Sequence, residues 1–253
     1  MKTILITGAT GAIGTELCKY IAKKGHHLII TARDYQTLHG LSDLLKREYQ
    51  IKVNYVASDF SDPKSYAELL NITTEGVDGF VIMPPQPPVT EDCLPQDNVW
   101  SDMFNRSFIG PSALIRDLIP ALIKRKASVV LISGITSKQP LTKYATSSVL
   151  RTAWQGQIKT LADTYGSEGV RFNTLSLGGV MTNKFIQKLN KESEDKNISF
   201  SELLSQRTEN VPLRKYANLN EIVDMIEFML LSEASKHLTG QNIVLDGGFT
   251  RAY

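Results

Sequence analysis

Three side chains near the middle of the chain have the types and spacing of a proton-transfer site. Tyr144, Ser148 and Arg151 lie at positions i, i+4 and i+7, which places them on one face of a helix. A phenol can donate a proton, and a guanidinium is a permanent positive charge that stabilises a negative oxygen nearby. The pattern therefore indicates a proton donor, Tyr144, with a cation beside it. The alternative is an ordinary tyrosine at a helix start and an arginine in solvent.

A second pattern, near the start of the chain, has the form of a phosphate-binding turn. Residues 7–14 read TGATGAIG, follow the apolar run KTILI and open a helical segment. Glycines permit a tight turn and let backbone N–H groups approach a pyrophosphate at the helix N-terminus. The turn predicts dinucleotide binding by Gly8, Thr10, Gly11, Ala12, Ile13 and Gly14. The alternative is a glycine-rich turn without a ligand.

The end of the second apolar run bears on the choice of dinucleotide. It reads Thr31-Ala32-Arg33-Asp34, with no acidic residue at the tip to bind the ribose hydroxyls of NAD. An arginine there can hold a 2′-phosphate, so Arg33 favours NADP(H), with NAD(H) as the alternative. Asp34 could instead pair with Arg33 and weaken this preference. Asp59, after the third run, could contact the adenine of the dinucleotide or cap the next helix.

These residues must be positioned by an alternation of apolar runs and helical patterns. The predicted strands are KTILITG, HLIITA, VNYVASD, GFVIM, ASVVLIS, VRFNTLSL and QNIVLDGG, with helical segments between them. Such an order predicts βαβ units and one parallel sheet covered on both faces, in a single domain over residues 1–253. The long helix over 100–126 is expected to break or be capped around Gly110-Pro111. Residues 183–212 are polar, and we expect a substrate lid or an exposed loop there.

Composition narrows the class of protein. Net charge is +2, with no Lys/Arg-rich block beyond a solvated helix face, which argues against a nucleic-acid partner. The chain has 2 cysteines, too few for a disulfide framework. No apolar segment has the length of a signal peptide or a membrane span, so we expect a cytoplasmic protein without a membrane partner. No metal site is expected.

The motifs together resemble the short-chain dehydrogenase/reductase family over essentially the whole chain. The matching pieces are TGATGAIG, the TARD strand end, Asp59, Trp100 with Asn105, VVLIS, Tyr144, GVRFNTLSLGG and LTGQNIVLDGG. The resemblance implies a Rossmann-type doubly wound sheet of about seven strands and a bound nicotinamide cofactor. It also implies hydride transfer to a carbonyl or enoyl carbon, and a homotetramer or homodimer. Further cofactor contacts are expected from Phe60, Met83 and Thr182.

The family uses a tetrad of asparagine, serine, tyrosine and lysine, and this chain departs from it. Asn105 matches the asparagine, and Ser133 is the serine at the end of the fifth strand, with Thr136 and Ser137 as stand-ins. Counting back from Asn173 reaches Ser147 at the usual tyrosine position, and Arg151 at the lysine position. Tyr144 lies 11 residues after Ser133 and 7 before Arg151, a spacing similar to the enoyl-acyl-carrier-protein reductase branch.

Two further departures concern the cofactor side. The family usually has Asn-Asn-Ala-Gly after the fourth strand, whereas this chain has Pro84-Pro85-Gln86-Pro87-Pro88. These prolines fix the backbone and remove N–H donors, so we expect a stiff wall that could line the cofactor cleft. Gly178-Gly179 replaces the usual Pro-Gly after the sixth strand. Thr182 either faces the nicotinamide carboxamide or caps the following helix.

The sequence predicts an NAD(P)H-dependent oxidoreductase that prefers NADP(H). We expect it to reduce a 3-oxoacyl-like or other ketone, with Tyr144, Arg151, Ser133 and Asn105 as catalytic residues. The first alternative is an enoyl thioester reductase, so the substrate is a small molecule or an acyl thioester. The second is a cofactor-binding member of the family without redox turnover, acting as a regulator or in a non-redox biosynthetic step.

Overall fold

One parallel sheet of seven strands organises the chain, in the order β3-β2-β1-β4-β5-β6-β7. The computed structural model describes residues 1–252. Its strands are β1 Thr3–Thr7, β2 His27–Ala32, β3 Val53–Ala57, β4 Gly79–Ile82, β5 Ser128–Gly134, β6 Arg171–Leu177 and β7 Asn242–Leu245. The strand order reverses between β1 and β4, and in such sheets ligands bind outside the carboxyl ends of the strands at that reversal. The predicted fold class is confirmed.

Helices cover both faces of the sheet. They are α1 Ala12–Lys23, α2 Tyr35–Tyr49, α3 Ala67–Ile72, α4 Asp97–Phe104, α5 Gly110–Arg125, α6 Ala145–Tyr165, α7 Asn183–Asp195, α8 Phe200–Arg207 and α9 Leu219–Leu231. In the part of the chain that the structure describes, none of them has both the length and the apolar character needed to cross a membrane.

The core consists of two layers, because alternate residues of each strand point to opposite faces. Ile4 and Ile6 of β1 belong to one layer and Leu5 to the other, and all three are fully buried. Leu17 of α1 packs in the first layer, together with residues of α2 and α9. Leu118 of α5 packs in the second, together with residues of α6. Both layers hold the carboxyl ends of the strands rigid.

The long helix predicted over residues 100–126 does not break at Gly110-Pro111. It runs through α4 and α5 with a π-helical turn over Asn105–Ile109 between them. Pro111 lies in the first turn of α5, and the Ser107 carbonyl, four residues earlier, accepts the Trp154 indole N–H in place of the N–H that proline lacks. A Cβ on Gly110 would lie 2.2 Å from the Phe60 carbonyl oxygen. Gly110 is therefore required for close contact with the β3 end and does not mark a helix stop.

The polar segment over residues 183–212 contains two helices, α7 and α8. Each starts with a hydroxyl cap: Thr182 accepts from the Phe185 N–H, and Ser199 accepts from the Glu202 N–H. Leu189 is buried on the inner side of α7. Two good caps and a buried apolar side chain explain why a segment with little apparent pattern becomes helical.

A half-buried arginine joins the C-terminal part of the fold to β6. The Arg171 guanidinium donates to the carbonyl oxygens of Met229, Leu230, Ser235 and Leu238 at 2.8–3.4 Å. Burial lowers the pKa of Arg171. These carbonyls belong to the end of α9 and the turn after it. Three of the four also accept from another donor, so Arg171 adds further bonds between β6 and this segment.

We expect the substitution Arg171→Leu to lower the free energy of unfolding by about 3 kcal/mol, because it removes the hydrogen bonds that join a charged guanidinium on β6 to the segment after α9. Urea denaturation followed by circular dichroism measures this. Lys236→Ala removes an exposed cation beside the same turn and should change stability by less than about 0.5 kcal/mol. Equal effects of the two substitutions would contradict the assigned role of Arg171.

Candidate active site

The glycine turn after β1 leaves the N-terminus of α1 open. Gly8 has φ +62°, a conformation that favours glycine. A Cβ on Gly14 would lie 2.2 Å from the Gly8 carbonyl oxygen, so the helix and the turn meet without a side chain between them. The N-cap residue is Gly11, whose lack of a side chain leaves the first N–H groups of α1 without a side-chain acceptor. Such a helix end is suited to bind a phosphate.

A cleft of about 270 Å³ adjoins this turn. Seven residues predicted to bind the cofactor line it: Gly8, Thr10, Gly11, Arg33, Asp59, Phe60 and Met83. Of the other predicted residues, Ala12 is exposed at the first position of α1 and Gly14 is buried behind the turn. Ile13 lines a second, neighbouring cleft. The turn and the tips of β2 and β3 thus surround one continuous region.

Arg33 presents its charge to the first cleft without an acidic partner. The Asp34 carboxylate accepts the Thr37 N–H at 2.7 Å and caps α2. Within residues 1–252, no carboxylate lies within 4 Å of the Arg33 guanidinium. Asp34 therefore does not neutralise Arg33 in this structure.

Asp59 supplies a carboxylate at the other side of the first cleft. The Ser61 hydroxyl and N–H donate to it at 2.7 and 2.9 Å, and they lower the pKa of Asp59. The cap of the following 3₁₀ turn is Asp62, not Asp59. Asp59 is thus free to contact a ligand through its second oxygen.

A second cleft, of about 460 Å³, lies beyond the carboxyl ends of β5 and β6. Three of the four predicted catalytic residues line it: Ser133, Tyr144 and Arg151. The opposite wall includes Ile13 from α1 and Gly178 and Gly179 after β6. Residues far away in sequence complete it, and none of them was predicted individually as a site residue: Gln86, Arg207, Tyr216, Asp246 and Phe249.

Arg151 does not point into solvent. Its Nη1 donates to the Thr136 hydroxyl at 2.9 Å, and its Nη2 donates to the Gln86 Oε1 at 2.7 Å. Burial lowers the pKa of Arg151, while Tyr144 acts in the opposite direction. The only residue in the PPQPP run that can offer a side-chain acceptor is Gln86, so the stiff proline wall has a specific contact with the predicted cation.

Gly134, the last residue of β5, accommodates this guanidinium. A Cβ at residue 134 would lie 2.4 Å from Arg151 Nη1 and 2.6 Å from Cζ. No side chain fits there unless the arginine moves. Ser133, one residue earlier, has a buried hydroxyl without a partner, and besides the second cleft it adjoins a cavity of about 20 Å³ that Ser107 also lines. That volume is enough for one water molecule.

Tyr144 lies at the N-cap of α6 and leaves its ring at the cleft. The ring is 37% exposed. The Tyr144 carbonyl accepts from the N–H and the hydroxyl of Ser148, both at 2.9 Å. The Ala145 N–H donates to the Thr90 carbonyl at 3.2 Å. The backbone is therefore fixed from two sides, and Ser148 uses its hydroxyl within the helix.

The structure does not bring Asn105 to the cleft. It is exposed at the start of the π-helical turn, while Ser107 is buried and its carbonyl accepts the Trp154 indole N–H at 2.9 Å. A π turn holds an extra residue, so the inward-facing position differs from that of a regular helix. The residue that lines the small cavity with Ser133 and Arg151 is Ser107.

Thr182 caps α7, as one of its two predicted roles required, with its hydroxyl accepting the Phe185 N–H at 3.2 Å. A cofactor contact by Thr182 stays a prediction. The loop before it is held by the Met181 N–H, which donates to the Ala217 carbonyl at 2.9 Å. A Cβ on Gly179 would lie 2.2 Å from the Tyr216 ring, so the glycine allows this aromatic side chain to reach the cleft.

Comparison with known proteins places these features in a family. The family model described as Enoyl-(Acyl carrier protein) reductase matches residues 8–250. The protein named uncharacterized oxidoreductase YmfI, from Bacillus subtilis, is 25% identical over 250 residues, covering 98% of each chain.

Solved structures share the fold. L-sorbose reductase from Gluconobacter frateurii, complexed with NADPH and L-sorbose, has a TM-score of 0.90 at 23% identity, covering 100% of this chain and 97% of that one. An NADPH-bound short chain oxidoreductase from Pseudomonas aeruginosa, described as containing an atypical catalytic center, has a TM-score of 0.85 at 21% identity, covering 100% and 98%. With a family model matching nearly its whole length, this chain belongs to the short-chain dehydrogenase/reductase family.

Proposed function

We propose that this protein is an NADP(H)-preferring oxidoreductase that reduces a carbonyl group. The observation that carries the proposal is that two clefts lie next to each other, with the glycine motif over residues 7–14 and the proline run each contributing to both. The phosphate turn and Arg33 line the first, while Tyr144 and Arg151 line the second, and Ile13 of α1 extends from the turn into the second. A dinucleotide held in the first would extend its nicotinamide toward the second, in accord with the family.

The residues of the first cleft fit NADP(H). Gly8, Gly11 and Gly14 keep side chains away from the helix end that would bind the pyrophosphate. Arg33 is an unpaired guanidinium whose planar fork suits a 2′-phosphate. The two solved neighbours named above are described as NADPH complexes, which supports the same choice here.

The second cleft has the groups that carbonyl reduction requires. When bound, NADPH supplies the hydride that the carbonyl carbon accepts, and NADP⁺ remains. Tyr144 donates its phenolic proton to the carbonyl oxygen, which completes the alcohol, and solvent returns a proton to the phenolate. Arg151 stabilises the negative charge that develops on that oxygen. Arg151 cannot relay the proton, because a guanidinium does not release one under ordinary conditions.

Reduction of an enoyl thioester is the second candidate. The steps of 11 residues from Ser133 to Tyr144 and 7 to Arg151 favour it, as does the name of the matching family model. In that reaction the same phenol and cation would stabilise an enolate oxygen. Comparison of 3-oxoacyl and 2-enoyl thioesters as oxidants of NADPH decides between the two.

We further propose that residues 183–212 act as a lid over the second cleft. Arg207 of α8 and the nearby Tyr216 line that cleft, and the Tyr216 hydroxyl donates to the Arg207 carbonyl at 2.8 Å. The Arg207 guanidinium bonds both carboxylate oxygens of Glu192 on α7 at 2.5–2.6 Å. Arg207, with Lys196, lowers the pKa of Glu192 to about 2. The ion pair therefore persists at neutral pH and weakens only as the pH falls from about 4.5 toward 2.

The substitution Tyr144→Phe should lower kcat/KM for carbonyl reduction at least about a hundredfold, the lower end expected for general acid catalysis. The dissociation constant of NADPH, measured by its fluorescence, should stay within about twofold. Thr142→Ala serves as the control, since Thr142 is exposed two residues away. Turnover that survives in Tyr144→Phe would reject this residue as the proton donor.

For the cofactor, Arg33→Ala should weaken NADPH binding at least about tenfold while changing NADH binding little, because only NADPH carries the 2′-phosphate. Titration of both nucleotides by fluorescence measures the ratio. Arg47→Ala, on an exposed part of α2, should leave both affinities unchanged. An unchanged NADPH/NADH ratio in Arg33→Ala would show that Arg33 does not read the phosphate.

For the lid, Glu192→Gln should speed trypsin cleavage between residues 183 and 212 at neutral pH, because the carboxylate that joins α7 to α8 is lost. Mass spectrometry of the first fragments locates the cut. Glu194→Gln removes an exposed charge two residues away on α7 and should leave the cleavage rate as in the wild type. Equal rates in all three proteins would contradict the fastening role of Glu192.

A further inference from the structure

Three arginines make tertiary hydrogen bonds, and they differ in what accompanies their charge. Arg171 has four backbone carbonyl acceptors. Arg207 has the Glu192 carboxylate. Arg151 has only two neutral acceptors, Thr136 and Gln86. Over residues 1–252, no carboxylate lies within 4 Å of its guanidinium.

A buried cation without an anion is unfavourable, because water is removed and no opposite charge replaces it. A guanidinium has five N–H donors, and the two bonds of Arg151 leave others for a ligand. The side chain lines the second cleft, which is open to small molecules. The missing negative charge is therefore expected to arrive from the cleft.

We propose that the substrate carries a carboxylate next to its reacting carbonyl, as in a 2-oxo acid, and that Arg151 binds this carboxylate. The inference rests on the proposed function, since the carbonyl must also reach Tyr144 in the same cleft of about 460 Å³. The planar fork of an arginine matches the two oxygens of a carboxylate. Arg151 thus selects the substrate as well as stabilising its oxygen.

Other charges at the cleft favour a single carboxylate over a doubly charged phosphate. Glu192 already neutralises Arg207. Asp246 lines the cleft too, and it remains anionic: burial raises its pKa, but hydrogen bonds from Thr250, Gly248 and Phe249 outweigh burial and hold it below the ordinary value. With Asp246 already anionic at the cleft, a doubly charged phosphate would meet more repulsion there than a single carboxylate that binds Arg151.

Gly134 provides a way to move the guanidinium without removing its charge. The three atoms nearest to a Cβ at residue 134 all belong to Arg151, at 2.4–3.1 Å. Gly134 has φ −140°, an extended conformation that alanine also adopts. Gly134→Ala should therefore displace Arg151 and disturb little else.

The first test measures binding of oxamate, an unreactive carboxylate, by calorimetry with and without saturating NADPH. We expect the wild type to bind oxamate and to bind neutral oxamide at least tenfold more weakly. Arg151→Met should weaken oxamate binding at least tenfold, and Lys143→Met, which removes an exposed cation beside Tyr144, should not change it. No binding by the wild type, or equal binding by Arg151→Met, would overturn the proposal.

A double-mutant cycle of Gly134→Ala and Arg151→Met distinguishes a specific effect on Arg151 from misfolding of a variant. Gly134→Ala should weaken oxamate binding at least threefold in the wild-type background and have no further effect in Arg151→Met, because the added methyl group then has no arginine to displace. Additive effects in the two backgrounds would show that Gly134 acts independently of Arg151, against the proposal.

The second test compares turnover of 2-oxobutyrate, its methyl ester and 2,3-pentanedione with NADPH. We expect the acid to have the highest kcat/KM, and Arg151→Met to lose more with the acid than with the neutral compounds. Preference for the neutral compounds would overturn the carboxylate proposal while leaving carbonyl reduction intact. If no carbonyl compound is reduced, the proposed function fails, and the oxamate titration still decides whether Arg151 binds a carboxylate.

Discussion

The arrangement of the site depends on one buried charge, the guanidinium of Arg151. It must reach the cleft from α6, and it must be held there without a carboxylate of the protein beside it. Both conditions constrain which residues can surround the guanidinium. The end of β5 has no side chain at Gly134, the proline run offers Gln86, and the turn after β5 offers the Thr136 hydroxyl. These three features are separate in sequence, and a single side chain explains them together.

The scaffold makes such a charge tolerable. Seven parallel strands end at one edge of the sheet, and two packed layers hold them there. The first helix directs unpaired N–H groups toward the same edge. The site can therefore concentrate polar groups at that edge while the apolar layers supply the stability of the fold.

The fold class and most residues of the first cleft could be predicted, because short patterns in the sequence determine them. The glycine turn lies between a strand and a helix, so seven of the predicted cofactor residues, including Arg33 and Asp59, line one cleft. Tyr144 is the N-cap of the helix that carries Arg151, and their spacing in sequence predicted that both line one cleft. The fold class followed from the alternation of strands and helices in the same way.

What could not be predicted depends on tertiary contacts or on irregular backbone. Gln86, Arg207 and Tyr216 reach the second cleft from distant segments, and no spacing rule connects them with Tyr144. Asn105 was predicted from its match to the family's asparagine, and at the π-helical turn the buried residue is Ser107 instead. The two helices over residues 183–212 were missed because their apolar residues are few and their caps are single hydroxyl groups.

The contacts of Arg171 also constrain how the chain acquires its structure during synthesis. The guanidinium is on β6, but its acceptors lie between residues 229 and 238, so they emerge from the ribosome only after some 60 more residues have been added. Until then the Arg171 guanidinium, at the start of β6, has none of these acceptors, and β6 lacks its neighbouring strand β7. A nascent chain that ends before α9 is thus an open intermediate, and its last strand is exposed to chaperones and to other nascent chains.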